Sequence, residues 1–144
     1  MRVLIDTNVL ISSLISPPAS SPYRVVLEGL AGTFELMVSA STLGELAEKC
    51  QNKPYLVQRV SEAELLALIS TVELSATILS SLTSPVAQYT RDPKDDYLIA
   101  HALAEEVDVL VSGDRDLLAL DGIFAFRILS PADFAATLGA DATE

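Results

Sequence analysis

Short apolar runs alternate along this chain with stretches whose apolar residues recur at helical spacing. Arg2 to Ile5 is the first run, and it ends at Asp6. Thr7 is placed to cap a helix whose buried face is Val9, Leu10, Leu14 and Ile15. The composition of residues 16–21, SPPASS, predicts a loop. A helix restarts at Ser21-Pro22 and stops near Gly29 or Gly32. Glu35 to Val38 reads as a second strand, and Ser39 to Thr42 offers several caps for a helix carrying Leu43, Leu46, Ala47 and Cys50, with Glu45 near its start.

Lys53-Pro54 breaks the pattern, and a short helix is expected over Tyr55 to Val60. Ser61 and Glu64 have capping-box spacing ahead of Leu65, Leu68, Ile69 and Val72. Glu73 to Ser84 fits a continued helix or a second one, and Val86 to Tyr89 is expected as a strand. Asp92 and Pro93 suit the cap and first position of a helix with Leu98, Ile99, Ala102 and Leu103 on one face. Asp95 and Asp96 fall in its first turn, where the helix dipole favours negative charge. Val109 to Val111 reads as a strand buried on both faces, followed by Ser112-Gly113-Asp114. A short helix near Leu117, a strand over Phe126 to Leu129 and a last helix from Ser130-Pro131 complete the chain. One domain over residues 1–138 is expected, with a frayed tail over 139–144.

This alternation predicts a three-layer α/β/α sandwich with a mostly parallel central sheet. Ligands in such folds bind beyond the carboxyl ends of the strands. Asp6, Glu45, Asp96 and Asp114 are all expected on that edge. Taken singly, each acid has an ordinary role as a turn, cap or helix residue. Gathered together they repel, and a cation is the usual remedy. Magnesium and manganese favour oxygen ligands and leave room for water and substrate phosphate. Helical spacing brings both Asp95 and Asp96 to the buried side, so geometry leaves both open as the third acid.

Composition narrows the chemistry further. The 144 residues are 50% hydrophobic, enough for a core, and no apolar run matches a membrane span. MRVLIDTNVL carries an Asp within its apolar stretch and has no small-residue cleavage site, so it is not read as a signal peptide. Cys50 is the sole cysteine, expected as a buried small hydrophobe, and a cytoplasmic protein is the simplest reading. The net charge of −11 argues against general attraction to nucleic acid or anionic membrane and favours a cation or a basic partner. His101, mid-helix, is expected in a surface or partly buried structural role. Ser12, Ser13 and Ser20 have no partner base, and there is no glycine-rich phosphate loop. Arg91, Lys94 and Arg115 flank the acids and are equally well read as phosphate contacts or as solvated surface charge.

Four stretches, RVLIDTNVLISS, STLGELAEK, RDPKDDYLIAHAL and VDVLVSGDRDLL, resemble the PIN domain (PilT N-terminal) ribonuclease family over nearly the whole chain. The resemblance implies an RNA-cleaving enzyme dependent on Mg²⁺ or Mn²⁺. It assigns Asp6, Glu45, Asp96 and Asp114 as the acidic, metal-holding site and favours Asp96 over Asp95. Asp116 matches an additional acid of some members, and Asn8 and Ser112 match supporting polar residues. The motif set resembles bacterial toxins of toxin–antitoxin pairs, which implies an antitoxin partner and a homodimer. The apolar face Leu65, Leu68, Ile69 and Val72 is the feature of this chain that motivates the dimer. Rival expectations are a phosphatase or phosphoacceptor domain on a similar sheet, since Asp6-Thr7-Asn8 resembles part of an Asp-x-Asp motif, and a non-catalytic PIN-like interaction module.

Overall fold

The computed structural model describes the backbone of residues 1–142 and the side chains of residues 1–139. Five strands are β1 (Arg2–Ile5), β2 (Glu35–Ser39), β3 (Thr77–Leu79), β4 (Val109–Val111) and β5 (Arg127–Leu129). They lie in the order β3-β2-β1-β4-β5, and every neighbouring pair is parallel. In register, Leu4 sits between Met37 and Leu110, and Val3 between Leu36 and Val109.

Alternation along these strands sends side chains to two cores. Val3, Ile5, Leu36, Val38, Val109 and Val111 point to one face. There they meet α1 (Thr7–Ile15), α2 (Ser21–Leu30), α3 (Ala40–Asn52), α4 (Pro54–Arg59), α5 (Glu62–Ser75) and α8 (Pro131–Ala142). Leu4, Met37, Leu110 and Ile128 point to the other face and meet α6 (Pro93–Ala104) and α7 (Arg115–Leu118). The result is the expected three-layer sandwich, with an all-parallel sheet. Burial on both faces explains why β1 and β4 read as unbroken apolar runs.

Caps match the residue chemistry closely. Ser61 and Glu64 make both bonds of the capping box, at 3.0 and 3.1 Å. Ser20 caps α2, Ser39 caps α3 and Asp92 caps α6 ahead of Pro93. Gly32, just past the end of α2, has φ +85°, a conformation that favours glycine.

Several expectations are corrected. The N-cap of α1 is Asp6, and Thr7 is its first helical residue. Within Glu73–Ser84 the helix ends at Ser75 and a strand, β3, follows. Residues 86–89 form no strand. The N–H groups of Tyr89 and Thr90 donate instead to the Asp96 carboxylate, and the N–H of Leu82 donates to the Tyr97 hydroxyl at 2.6 Å. The face offered as surplus on α5 is used by the fold, since Leu65 and Val72 are buried and Leu68 and Ile69 pack against the core. Helix α8 covers residues 139–142 of the expected tail, and residues 143–144 lie outside the described residues.

Candidate active site

The central strand β1 is flanked by β2 on one side and β4 on the other, so chain connections diverge at its carboxyl end. That divergence opens a crevice in doubly wound sheets. Here it is a cleft of about 600 Å³ lined by Asp6, Glu45, Asp95 and Asp114 together with Thr7, Asn8 and Lys94.

Asp6 leaves β1 by donating its N–H to the Val111 carbonyl at 3.1 Å. It takes the N-cap position of α1 but makes no side-chain cap bond, which leaves the carboxylate for other partners. Ser112, fully buried just after β4, donates its hydroxyl to Asp6 Oδ2 at 2.8 Å and accepts the Asp114 N–H at 3.0 Å. One hydroxyl thus ties the two strand ends and sets the spacing of two acids. Asp114 caps α7 by accepting the Asp116 N–H at 2.8 Å.

The two neighbouring acids of α6 have opposite surroundings. Asp96, favoured by the family resemblance, is turned away from the cleft. Its Oδ1 accepts the N–H groups of Tyr89 and Thr90, each at 2.8 Å, and the Thr90 hydroxyl at 3.1 Å. Asp95 takes the place in the cleft. It is 5% exposed, and its Oδ2 is buried without a hydrogen-bond partner. Consecutive helical residues are rotated by roughly 100°, enough to separate their side chains onto different surroundings.

Glu45 stands on the opposite wall, on α3. Lys49, one turn along the same helix, reaches Oε1 at 3.4 Å, and Lys94 reaches across from α6 to Oε2 at 2.9 Å. Asp116 lies outside the cleft lining and pairs with Arg91 at 3.0 Å. Arg115 is exposed on α7 and does not line the cleft, while Asn8 is exposed at its edge. His101 is buried, not at the surface or partly buried as expected; it lies edge-on to Tyr97 at 4.8 Å, and its Nε2 has no hydrogen-bond partner. Cys50 is buried in the core.

Electrostatics divide the cleft in two. Burial raises the proton affinity of Asp6; hydrogen bonds from Ser112 and the Thr7 backbone oppose this, and the charges of Glu45 and Asp114 add to it. Asp95 is pushed up to about 7, first by burial and then by its hydrogen bonding with Asp114 and the Asp114 charge. Burial also acts on Glu45, but hydrogen bonds from Lys94 and Thr7 and the charges of both lysines outweigh it, so Glu45 is held below the ordinary range.

The donor set is carboxylate oxygen throughout, which suits a hard divalent cation and not a soft one. The orphaned Asp95 Oδ2 supplies a buried acceptor with nothing to bind. Among the described residues no group of three or more His, Cys, Asp or Glu side chains is placed so that it could hold a metal ion by itself. An open site is what Mg²⁺ commonly uses, with one or two carboxylates and the remaining ligands from water and substrate phosphate. Thr7 and Lys49 went unassigned from sequence. The spacing of Glu45 and Lys49, four residues apart on a helix, was the legible signal for the latter.

Fold and site together define a parallel α/β sandwich with an acidic cleft over its central strands. The PIN domain family profile matches residues 2–116, and the chain belongs to that family. Among solved structures, it is similar to PAE2754 from Pyrobaculum aerophilum, at 18% identity and TM-score 0.65, over 97% of this chain and 90% of that one. It is also similar to VapBC2 from Rickettsia felis, bound to a DNA fragment from its promoter, at 16% identity and TM-score 0.59, over 90% and 98% of the two chains. VapC20 of Mycobacterium tuberculosis, a sarcin–ricin loop cleaving toxin, matches at 15% identity and TM-score 0.58, over 87% and 98%. No curated protein sequence matches significantly. At these identities the structural likeness establishes the fold alone.

Proposed function

We propose that this protein is a divalent-metal-dependent ribonuclease that hydrolyses RNA phosphodiester bonds in the acidic cleft. The observation that carries the reading is that Asp6, Asp95 and Asp114 line one cleft at the sheet's switch point, with one buried carboxylate oxygen unpartnered. Asp6, Asp95 and Asp114 would hold Mg²⁺ or Mn²⁺, and Glu45 faces them. Once bound, the metal would activate water and neutralise charge on the phosphate. Ser112 keeps Asp6 and the Asp114 loop in register. Asp95 replaces Asp96 in this assignment because its carboxylate is the one in the cleft. Lys94 and Arg91 at the rim can meet substrate phosphates, which the chain's net charge of −11 otherwise repels.

Family membership and the likeness to VapC20, named as an RNA-loop cleaving toxin, support a toxin role. The likeness to VapBC2 supports a protein antitoxin as partner. A homodimer and a cytoplasmic location complete the proposal, both resting on the family resemblance, since the α5 face is used by the fold. Among the described residues no helix is long and apolar enough to cross a membrane.

The test is cleavage of end-labelled RNA in Mn²⁺ and in EDTA, run beside hydrolysis of a generic phosphomonoester. Mn²⁺-dependent RNA cleavage without phosphomonoester turnover is the expected result. Phosphomonoester turnover alone would instead favour a phosphatase, and inactivity of the folded, metal-loaded protein on all RNA would favour an interaction module.

A further inference from the structure

We propose that Lys94 is a built-in counter-cation for Glu45 that a divalent ion must displace before Glu45 can join the metal site. The inference rests on the reading of the cleft as a divalent-cation site, and the assignment of Lys94 comes from the ion pairs around Glu45.

Each oxygen of the Glu45 carboxylate has its own ammonium, Lys49 on Oε1 at 3.4 Å and Lys94 on Oε2 at 2.9 Å. The opposite wall has no such compensation. Among the described residues Asp6, Asp95 and Asp114 take part in no ion pair. The cleft therefore has one wall whose carboxylate is paired and one whose carboxylates are not, and an arriving cation is drawn first to the unpaired wall. To reach Glu45 as well, it must enter between that carboxylate and an ammonium of like charge to itself.

The two lysines are not equally easy to displace. The Lys49 side chain is 25% exposed and runs along the same helix as Glu45. The Lys94 side chain is 69% exposed and reaches over from the first turn of α6. Its ammonium can return to water with little desolvation to recover, and it regains rotamer freedom as it leaves. Lys94 is the removable partner and Lys49 the resident one. The arrangement lowers the affinity of the free protein for the metal while leaving Glu45 available once the cation arrives. Removing Lys94 should therefore strengthen metal binding, and should do so only through Glu45.

The experiment is an Mn²⁺ titration of the full chain, by calorimetry and by the electron paramagnetic resonance of free Mn²⁺. It compares the parent, Lys94→Gln, Glu45→Gln and the double variant, each checked for folding by circular dichroism. Lys94→Gln is expected to tighten Mn²⁺ binding by roughly fivefold, the upper end for an exposed ion pair. In the Glu45→Gln background the same change should have no effect. Unchanged affinity in Lys94→Gln overturns the inference. An equal gain with and without Glu45 also overturns it, because that result reports the bulk removal of a positive charge. A parent that binds Mn²⁺ but is indifferent to Lys94 leaves the metal site standing and removes only this role. Absence of Mn²⁺ binding in all four proteins removes the metal site and this role together.

Discussion

The two walls of the cleft carry the same chemical group in opposite electrical states. On the α3 wall, Glu45 is flanked by two ammonium groups and its carboxyl is held below the ordinary range. On the β1–β4–α6 wall, Asp6 and Asp95 are buried without a cation, and both are pushed up. Burial acts on all of them, and the lysines decide the sign. The uncompensated wall costs the fold stability in the absence of a cation, whereas the compensated wall does not. A wall left without a cation at such a cost is where a functional cation is expected.

The largest effect that would sharpen this contrast comes from Asp95. Asp95→Asn should lower RNA cleavage at least about a hundredfold, because several kcal/mol of charge stabilisation would depend on its site. In EDTA the variant should be more stable than the parent by on the order of 1 kcal/mol, since it relieves like-charge crowding. With Mn²⁺ the order should reverse. Melting curves in the two buffers, with a cleavage assay, check both claims; full cleavage by the variant would remove Asp95 from the site.

Asp96 supplies the contrast one residue away. Asp96→Asn weakens the clasp on Tyr89 and Thr90, so the melting temperature should fall by the same amount in EDTA and in Mn²⁺. Cleavage per folded molecule should survive. If Asp96→Asn instead abolishes Mn²⁺ stabilisation, the cleft assignment passes back to Asp96.

Acidity should separate the walls as well. The native state keeps the Asp95 proton from 3.8, its ordinary value, up to about 7, where the unfolded chain has already lost it. Its contribution is therefore complete at low pH and is lost as pH rises through that window. Glu45 behaves oppositely, contributing above the ordinary carboxylate range and losing its contribution on acidification. In EDTA, melting temperature against pH should decline less steeply between pH 5 and 8 for Asp95→Asn than for the parent. Parallel curves would break the contrast. The smallest effect is expected at the rim. Arg91 is 88% exposed on Asp116, and Arg91→Gln should raise KM for RNA by about threefold with kcat and Mn²⁺ affinity unchanged.

Much of the architecture was legible along the chain. Four of the five strands are apolar runs, and caps such as Ser61 with Glu64 or Asp92 with Pro93 mark helix starts by local chemistry. The strand β3 was not legible, because its three residues follow a helix of similar apolar content and their pairing partner Met37 is forty residues away along the chain. Residues 86–89 misled in the other direction. Their pattern suits a strand, yet backbone N–H groups at Tyr89 and Thr90 are satisfied by one carboxylate.

By itself the sequence determined the parallel sandwich and its carboxyl-end acids Asp6 and Asp114. These follow from hydrophobic period and from position at strand ends, which are properties of neighbouring residues. The tie between the two acids through Ser112, 106 residues from Asp6 along the chain, came from tertiary structure. Which of Asp95 and Asp96 lines the cleft was set only by tertiary structure. Both lie in one helical turn with the same dipole, and only the chain segment packed beside α6 gives Asp96 three donors and leaves Asp95 to the cleft. The same holds for Glu45, whose charge is set by Lys94 arriving from forty-nine residues away. Local spacing specifies where a carboxylate begins, and long-range packing specifies what it faces.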